Sequence, residues 1–375
     1  MHHSAMYLPV SHPAAWRPGQ FSGDTSWLHS FTDRQVEQMR NAVALWRSRG
    51  LTFDAIHSPQ DQLSSLVPLM QTAKAELATR GFLLLRGLPV AEFSDKEAAT
   101  LYWAIGMLLG RGTTQNAAGE FLCPVTDRGV KFGYTQATNA QNARGYQSRA
   151  DLNFHCDPTD VVALLCIRKA MSGGLSAIVS SETIFNIIAE EAPQHLPVLL
   201  RGFPYDRKNE NFPEEEPVTP RIPVFVRHDD RVSCRYARSY INGAAEKLAQ
   251  PLTAQEVAAL DYFEAVSRRS DVVLHMAFEP GDIQLLNNYT TLHGRTSYED
   301  HPEPERRRFL YRLWLKMCIR DSCRAGRTCT PGSTTFRTMS IYMSTSTTRP
   351  ISRRKRPSRA GTKIRLTCRD AGIFR

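Results

Sequence analysis

The first hundred residues show the apolar spacing of helices. In the segment "TDRQVEQMRNAVALWRSRG" an apolar residue recurs every third or fourth position, which predicts an amphipathic helix. Thr32 and Gln35 have the spacing of a capping box at its start, and Ser94 with Glu97 repeat that spacing ahead of a later helix. A further helix is predicted at 64–80, and "GFLLLRGLPV" is typical of a short buried strand.

From about residue 120 onward the apolar runs become short and are separated by Gly, Pro, Asn and Asp. These runs predict strands, whereas helices are predicted only at 181–192 and about 253–268. Many short strands after a helical prelude indicate a mainly β fold with helical embellishments (α+β), a barrel or jelly roll with helices outside. We expect one domain over residues 1–316, with the helical prelude at about 30–110 and the β core at about 120–316.

The pattern ends after Lys316. Residues 317–375 contain one Leu, no Val and 17 Ser and Thr, a composition that buries too little apolar surface to offset the entropy of ordering. They carry 14 Lys and Arg against two acidic residues, whereas residues 1–316 carry 33 basic and 35 acidic residues. The formal net charge of +10 therefore belongs to the tail, and the near-neutral body gives little reason to expect a nucleic-acid partner.

Two interpretations of the tail remain, a disordered basic extension and a non-native segment. The heptapeptide "KMCIRDS" at 316–322 resembles a translation of the transposon end used in DNA library preparation, and the composition changes at that point. This favours a sequencing or reading-frame artefact. A zinc site from Cys318, Cys323 and Cys329 is weakly supported, because the spacings lack a Cys-x2-Cys pair and no His is near.

The body of the chain has the features of a cytoplasmic protein. Its cysteines, Cys123, Cys156, Cys166 and Cys234, are scattered, as free thiols of a reducing compartment are. No signal peptide is recognisable, and the longest apolar run, "VVALLCI", is too short to span a bilayer. We expect no membrane association.

A His-x-Asp pair is the first candidate for chemistry. On a strand, residues two apart share a face, so His155 and Asp157 would point the same way. One imidazole and one carboxylate are two of the three ligands in the facial triad of non-haem Fe(II). A structural polar pair at a strand end is the alternative, because His-x-Asp is a common sequence.

A third ligand must come from elsewhere in the chain. His293 follows the turn and apolar strand of "EPGDIQLLNN", and a structural histidine is the alternative there as well. His195, His228 and His275 are rivals without supporting context.

The strand "RRRFLYRLWLK" places Arg308 and Arg312 on one of two largely apolar faces. A buried Arg is costly unless it meets an anion, and its planar fork suits a carboxylate. Structural salt bridges are the alternative.

Taken together, these motifs resemble the TauD/TfdA-type Fe(II)/2-oxoglutarate-dependent dioxygenases over roughly residues 10–316. The resemblance implies a double-stranded β-helix (jelly-roll) core, Fe(II) bound by His155, Asp157 and His293, and 2-oxoglutarate and O2 as cosubstrates. Arg308 would pair with the distal carboxylate of 2-oxoglutarate. The following residues would assist: Ser176 at a position where the family commonly has Thr, Arg312 toward cosubstrate or an anionic substrate, and Asn288 toward His293.

The resemblance implies hydroxylation of an aliphatic C–H bond, with succinate and CO2 as coproducts. Arg312 favours a small acidic or amino-acid-like substrate, and residues 111–149 have the polar, Gly-rich texture of a loop over an active site. Gln115, Asn116, Tyr146 and Gln147 could contact substrate there, although solvated loop positions are the simpler expectation. The alternatives are a catalytically impaired binding protein of the same fold and nucleic-acid binding through the tail. The sequence leaves homo-oligomerisation open.

Overall fold

Helices and strands succeed one another along the described chain. The structure, a computed structural model, describes residues 7–130, 145–210 and 214–317. The helices in those ranges are α1 Asp33–Ser48, α2 Val67–Thr79, α3 Asp95–Leu109, α4 Ser181–Glu191, α5 Leu196–Arg201, α6 Arg238–Lys247 and α7 Ala254–Ser267. The strands are β1 Leu28–Ser30, β2 Phe82–Arg86, β3 Arg111–Thr113, β4 Leu122–Val125, β5 Leu152–His155, β6 Val161–Arg168, β7 Ser172–Gly173, β8 Ser176–Ser180, β9 Phe225–His228, β10 Arg231–Cys234, β11 Leu274–Met276, β12 Ile283–Asn287, β13 Thr291–Arg295, β14 Tyr298–Glu299 and β15 Phe309–Lys316.

Two sheets of unequal size form the β core. The larger has the strand order β1-β2-β12-β6-β15-β3, with β4 also paired to β15, and the smaller has the order β11-β8-β13-β5. Strands β9 and β10 form a separate hairpin, and β7 pairs with β14. The crossovers between non-consecutive antiparallel strands are those of the predicted jelly roll.

Three apolar layers hold the sheets and helices together. Residues of both sheets, including Ile178 on β8 and Trp314 on β15, form the layer between the sheets. The outer face of the larger sheet packs against α1, α2 and α3, and the smaller sheet packs against α4, α5 and α7. Along β15, Leu310 and Trp314 face the inner layer while Leu313 and Leu315 face the helices. The two apolar faces predicted for this strand are therefore confirmed.

The predicted helix starts are confirmed where the capping signal is local. Thr32 Oγ1 accepts from the backbone N–H of Gln35, whose side chain in turn accepts from the backbone N–H of Thr32. Ser94 and Glu97 form the same reciprocal pair at the start of α3. The helix expected at 64–80 is a 3-10 turn that continues into α2, and α4 and α7 lie at the other two predicted positions.

Short elements account for the differences between prediction and structure. The segment expected to be a loop over the active site contains β3 and β4, which pair with β15; its residues 131–144 lie outside the described residues. The first of these strands has three residues and the second is interrupted by Pro124, so neither carries a recognisable period. The short buried strand predicted at "GFLLLRGLPV" is confirmed as β2, and together with β1, which the sequence does not predict, it extends the larger sheet. Within the described ranges, no helix has the length and apolar character that a membrane crossing requires. The tail beyond Met317, with its cysteines, lies outside the described residues.

Candidate active site

The predicted metal ligands meet because β5 and β13 are neighbours. His293 is the register partner of His155, so the two imidazoles lie on one face of the smaller sheet with ring centroids 4.3 Å apart. Asp157 follows β5, and its carboxylate lies 3.9 Å from His155 Nε2 and 3.7 Å from His293 Nε2. The three possible ligand atoms lie within 4.8 Å of one another. Two imidazoles and one carboxylate at this spacing fit a single Fe(II) ion with coordination positions left open.

The surroundings of the three side chains keep them in the protonation states that a metal requires. Burial lowers the pKa of His293 to about 3 and also lowers the pKa of His155; neutral imidazole is the metal-binding form. Burial by itself would raise the pKa of Asp157, but the charge of Arg312 and the two histidines outweigh it and bring that pKa to about 2. Asp157 is therefore a carboxylate beside two neutral rings.

Asp157 is held by groups from the opposite sheet. Trp314 donates its indole N–H to Asp157 Oδ2 over 2.8 Å, and Arg312 Nη1 lies 3.3 Å from the same oxygen. The backbone N–H of Asp157 donates to Asn288 Oδ1 over 3.0 Å. The expectation that Asn288 orients His293 is therefore corrected, because its side-chain oxygen accepts from the backbone N–H of Asp157.

The histidine rings are supported unequally. His155 Nδ1 lies 2.9 Å from the carbonyl oxygen of Asn153, which favours the tautomer with Nε2 available to a metal. His293 Nδ1 is buried and has no hydrogen-bond partner among the described residues. The rival histidines lie apart from the triad: His228 and His275 are exposed, and His195 stacks on Tyr262.

Arg308 is a buried cation that forms no ion pair with a carboxylate of the described residues. It is 5% exposed, its guanidinium lies 5.0 Å from the centre of the Tyr298 ring, and Nη1 has no hydrogen-bond acceptor in the described part of the chain. Burial lowers the pKa of Arg308. A Cβ on Gly174 would lie 3.2 Å from Arg308 Nε, so the chain leaves room beside the guanidinium. An orphaned buried guanidinium fits the carboxylate of a diacid cosubstrate.

The other two predicted cosubstrate residues are buried and have protein partners. Ser176 Oγ donates to Gln284 Oε1 over 3.1 Å. Arg312 Nε donates to Gln115 Oε1 over 2.7 Å, and the guanidinium lies between Tyr146 and Trp314, with ring distances of 4.8 and 4.9 Å. Contact with Asp157 makes Arg312 part of the metal-ligand environment.

A pocket opens beside His155 and Asp157. Residues of β5 and β15 form one wall of the pocket, and Gly145 and Tyr146 precede β5 at its edge. Three basic residues that the sequence analysis does not single out complete the lining. Gln115 and Tyr146 belong to this lining; Gln115 is 6% exposed, so the simpler expectation of a solvated loop position is wrong for it. The cationic residues are Lys208, Arg235 and Arg238. No motif marks them, because only the fold brings them to His155.

Known proteins are similar to this chain in sequence and in fold. A family model, described as the taurine catabolism dioxygenase TauD, TfdA family, matches residues 48–314. FR-33289 synthase of Streptomyces rubellomurinus is 29% identical over 315 residues, which cover 82% of this chain and 91% of that protein.

Solved oxygenases have the same fold at low identity. Asparagine oxygenase in complex with Fe(II), 2S,3S-3-hydroxyasparagine and succinate superposes with a TM-score of 0.59 at 16% identity, over 77% of this chain and 93% of that one. The non-haem iron oxygenase OrfP, in complex with Fe and alpha-ketoglutaric acid, gives 0.57 at 12% identity over 77% and 93%. Because the family match spans most of the chain, the chain belongs to the TauD, TfdA family of dioxygenases, which use Fe(II), 2-oxoglutarate and O2.

Proposed function

We propose that this oxygenase hydroxylates an aliphatic C–H bond of a small acidic or amino-acid-like molecule. The overall reaction consumes O2 and 2-oxoglutarate: one oxygen atom enters the substrate C–H bond, the other enters succinate, and CO2 leaves. Fe(II), when bound, supplies the oxidising chemistry. The observation that carries the proposal is the pairing of a His155, Asp157 and His293 cluster with a buried Arg308 whose Nη1 has no acceptor among the described residues.

The ligand set would determine how the cosubstrate and O2 reach the iron. His155, Asp157 and His293 would hold Fe(II) and leave open positions for a chelating 2-oxo acid and one further molecule. Trp314 and Arg312 both contact Oδ2 of Asp157, so they restrict the rotation of the carboxylate and keep its orientation toward the histidines. These two residues would act by positioning a ligand.

Arg308 would bind the distal carboxylate of 2-oxoglutarate. The Tyr298 ring at 5.0 Å limits the rotamers of the guanidinium, so less entropy is lost when the carboxylate binds. Ser176 would assist by turning its hydroxyl proton from Gln284 Oε1, 3.1 Å away, to the carboxylate when 2-oxoglutarate binds. Arg312 would serve Asp157 and the substrate side of the pocket.

Relatives support the substrate class. One solved neighbour carries 3-hydroxyasparagine in its active complex, and OrfP carries (3S)-hydroxy-L-Arg with succinate. Both products are hydroxylated amino acids. The cationic pocket beside His155 agrees with a substrate that bears a carboxylate or another acidic group.

We also propose a cytoplasmic location and a single domain over residues 1–316. The four cysteines of the described residues are free and buried, which suits a reducing compartment. A partner beyond the small-molecule substrate is not required by the site. A homo-oligomer is compatible with the proposal.

Anaerobic reconstitution tests the function. The protein is loaded with Fe(II) and 2-oxoglutarate, mixed with O2, and assayed for succinate against a panel of amino acids and small organic acids. We expect succinate to rise with at least one panel member, together with a product heavier by one oxygen atom. Absence of succinate with every substrate, from protein that binds Fe(II), would favour the catalytically impaired alternative.

A further inference from the structure

The pocket beside the metal ligands is strongly cationic. Among the described residues that line it, four are basic and only Asp157 is acidic. The basic residues are Lys208, Arg235, Arg238 and Arg312. Because four basic residues face a single carboxylate, the lining has a net positive charge, which attracts anions.

Three of the four cations already have carboxylate partners. Lys208 Nζ lies 3.2 Å from Asp206 Oδ2, Arg238 Nη1 lies 2.9 Å from Asp261 Oδ1, and Arg312 pairs with Asp157. Their charges are therefore largely balanced by the protein.

Arg235 differs from the other three. It forms no ion pair with a carboxylate in the part of the chain that the structure describes. Its Nη1 donates to the carbonyl oxygen of Cys156 over 2.6 Å, and the guanidinium lies 5.5 Å from the centre of the Tyr205 ring. These contacts fix the position of the side chain and leave its charge uncompensated. Cys156 lies between the ligands His155 and Asp157, so the guanidinium is held next to the metal centre.

The start of α6 adds donors to the same wall. Ala237, Arg238 and Ser239 line the pocket, and α6 begins there without a side-chain cap and without an acidic residue in its first turn. Such a helix start favours a negative charge. Together with Arg235, it makes this wall suited to an oxyanion.

We propose that Arg235 is the specificity residue that anchors an oxyanion group of the substrate, a carboxylate, phosphonate or sulfonate, at the wall formed by Arg235 and the start of α6. This inference rests on the proposed function and names the subsite that selects its substrate. Because Arg235 contacts Cys156, which lies between the proposed ligands His155 and Asp157, the anchored group would lie close to the metal centre. A compact substrate with its anionic end at Arg235 fits this arrangement.

Small methyl compounds test the subsite without knowledge of the substrate. Acetate, methanesulfonate and methylphosphonate, with neutral acetamide as the reference, are titrated into anaerobic protein loaded with Fe(II) and 2-oxoglutarate. Metal-free protein without 2-oxoglutarate gives a second series. Binding is followed by saturation transfer from the protein to the methyl protons. We expect at least one anion to bind more tightly than acetamide in both series.

Variants assign that binding to Arg235. Arg235→Gln should lower the affinity for the anion on the order of tenfold or more, because one charge-assisted hydrogen-bonded pair is lost. Arg235→Lys should restore part of that affinity. Ser239→Asp should also weaken it, although an acidic residue in the first turn favours the helix, so this variant guards against a folding defect. Arg49→Gln, an exposed change of the same charge at the end of α1, should leave the affinity unchanged.

The outcomes separate this inference from the proposed function. Arg308→Gln should weaken the binding of 2-oxoglutarate and leave the binding of the methyl anions unchanged. Arg235→Gln should weaken the binding of the methyl anions and leave the binding of 2-oxoglutarate unchanged. Equal binding of anions and acetamide, or anion binding that survives both Arg235→Gln and Ser239→Asp, would overturn the inference whether or not succinate forms. Loss of 2-oxoglutarate turnover with retained anion binding would instead count against the proposed function.

Discussion

Trp314 of the larger sheet donates its indole N–H to Oδ2 of Asp157, which follows a strand of the smaller sheet, over 2.8 Å. The hydrogen bond crosses the inner layer of the jelly roll and fixes a carboxylate that must face two histidines. A hydrogen bond to a metal-ligating carboxylate commonly changes metal affinity by one to two orders of magnitude. The indole is therefore a positioning group for the metal centre as well as part of the core.

Trp314→Phe should weaken Fe(II) binding by about 10- to 100-fold. The substitution keeps most of the apolar volume and removes the donor to Asp157. Anaerobic equilibrium dialysis of Fe(II) measures the effect. The matched control is Trp103→Phe, because Trp103 donates to the carbonyl oxygen of Ile56 on the helical side of the fold. Equal affinity in both variants would contradict the positioning role.

Gly294→Ala should separate the two metal-binding strands. A Cβ at Gly294 would lie 2.6 Å from the carbonyl oxygen of Leu152, closer than atoms pack, so β5 must move away from β13. We expect a loss of about 1–3 kcal/mol in the free energy of unfolding together with weaker Fe(II) binding. Gly19→Ala is the control, since a Cβ at Gly19 meets nothing within 4 Å. Unchanged Fe(II) binding in Gly294→Ala would show that the sheet absorbs the methyl group elsewhere.

Asp157→Ala and Arg308→Ala should impair different steps. The first removes a metal ligand, so Fe(II) binding or hydroxylation should be lost. The second removes the proposed partner of the distal carboxylate, so the KM for 2-oxoglutarate should rise by about 30-fold or more while Fe(II) still binds. Iron titration and the 2-oxoglutarate dependence of succinate formation distinguish the two. Wild-type iron affinity and turnover in Asp157→Ala would rule out that ligand.

Asp206→Asn should destabilise the protein near neutral pH. Asp206 is 5% exposed and lies between Lys208 and Lys247, 3.2 and 2.7 Å away. Removal of one member of such a buried group costs about 3 kcal/mol in the free energy of unfolding. Asp261→Asn is the control, because its carboxylate is 60% exposed and surface pairs contribute little. Urea unfolding of the two variants measures the difference.

The effect of Asp206 should depend on pH. Burial alone would raise its pKa, but the two lysines outweigh burial and hold the pKa below the usual 3.8. A carboxyl whose folded-state pKa is lowered stabilises the fold above its unfolded-state pKa and loses that contribution as the pH falls through the folded-state value. The gap between wild type and Asp206→Asn should therefore shrink below about pH 4. A gap that stays constant down to pH 2 would contradict the ion-pair account.

Removal of residues 318–375 should leave iron and 2-oxoglutarate binding unchanged and abolish any salt-dependent binding of nucleic acid. The basic excess of the chain lies in the tail, whereas residues 1–316 have a net charge of −2. Filter binding to random duplex DNA at two salt concentrations measures the change. Binding that survives the deletion would place a nucleic-acid site in the fold.

We propose that the tail is non-native. A genomic sequence of the source locus that continues through Met317 without adapter-like DNA would refute this proposal.

Local signals explain which parts of the molecule the sequence could predict. Thr32 with Gln35 encodes a helix start within four residues, and the alternating faces of β15 lie within eight. His155 and Asp157 share a face by strand geometry alone. Their partner His293 required the family resemblance, because its place opposite His155 depends on the register of two strands far apart in sequence.

Long-range contacts explain the rest. The local sequence around Gln115 is typical of a loop. In the fold its side-chain oxygen is buried and accepts a hydrogen bond from Arg312 on β15. Arg235 belongs to no motif, and its place next to Cys156 follows from the way the hairpin β9–β10 leads into α6. The resemblance implies that Asn288 assists His293, whereas the fold brings its side-chain oxygen to the backbone N–H of Asp157.

The proposed metal ligands lie on or directly after strands of the smaller sheet, whereas Arg308 directly precedes β15 of the larger sheet. The thickness of the inner apolar layer, to which Ile178 and Leu310 contribute, therefore sets the distance between the metal and the guanidinium. If Arg308 binds the distal carboxylate as proposed, this distance would determine the length of the 2-oxo diacid that fits. Evolution of this enzyme toward a shorter or longer cosubstrate would then proceed through apolar residues that never touch it.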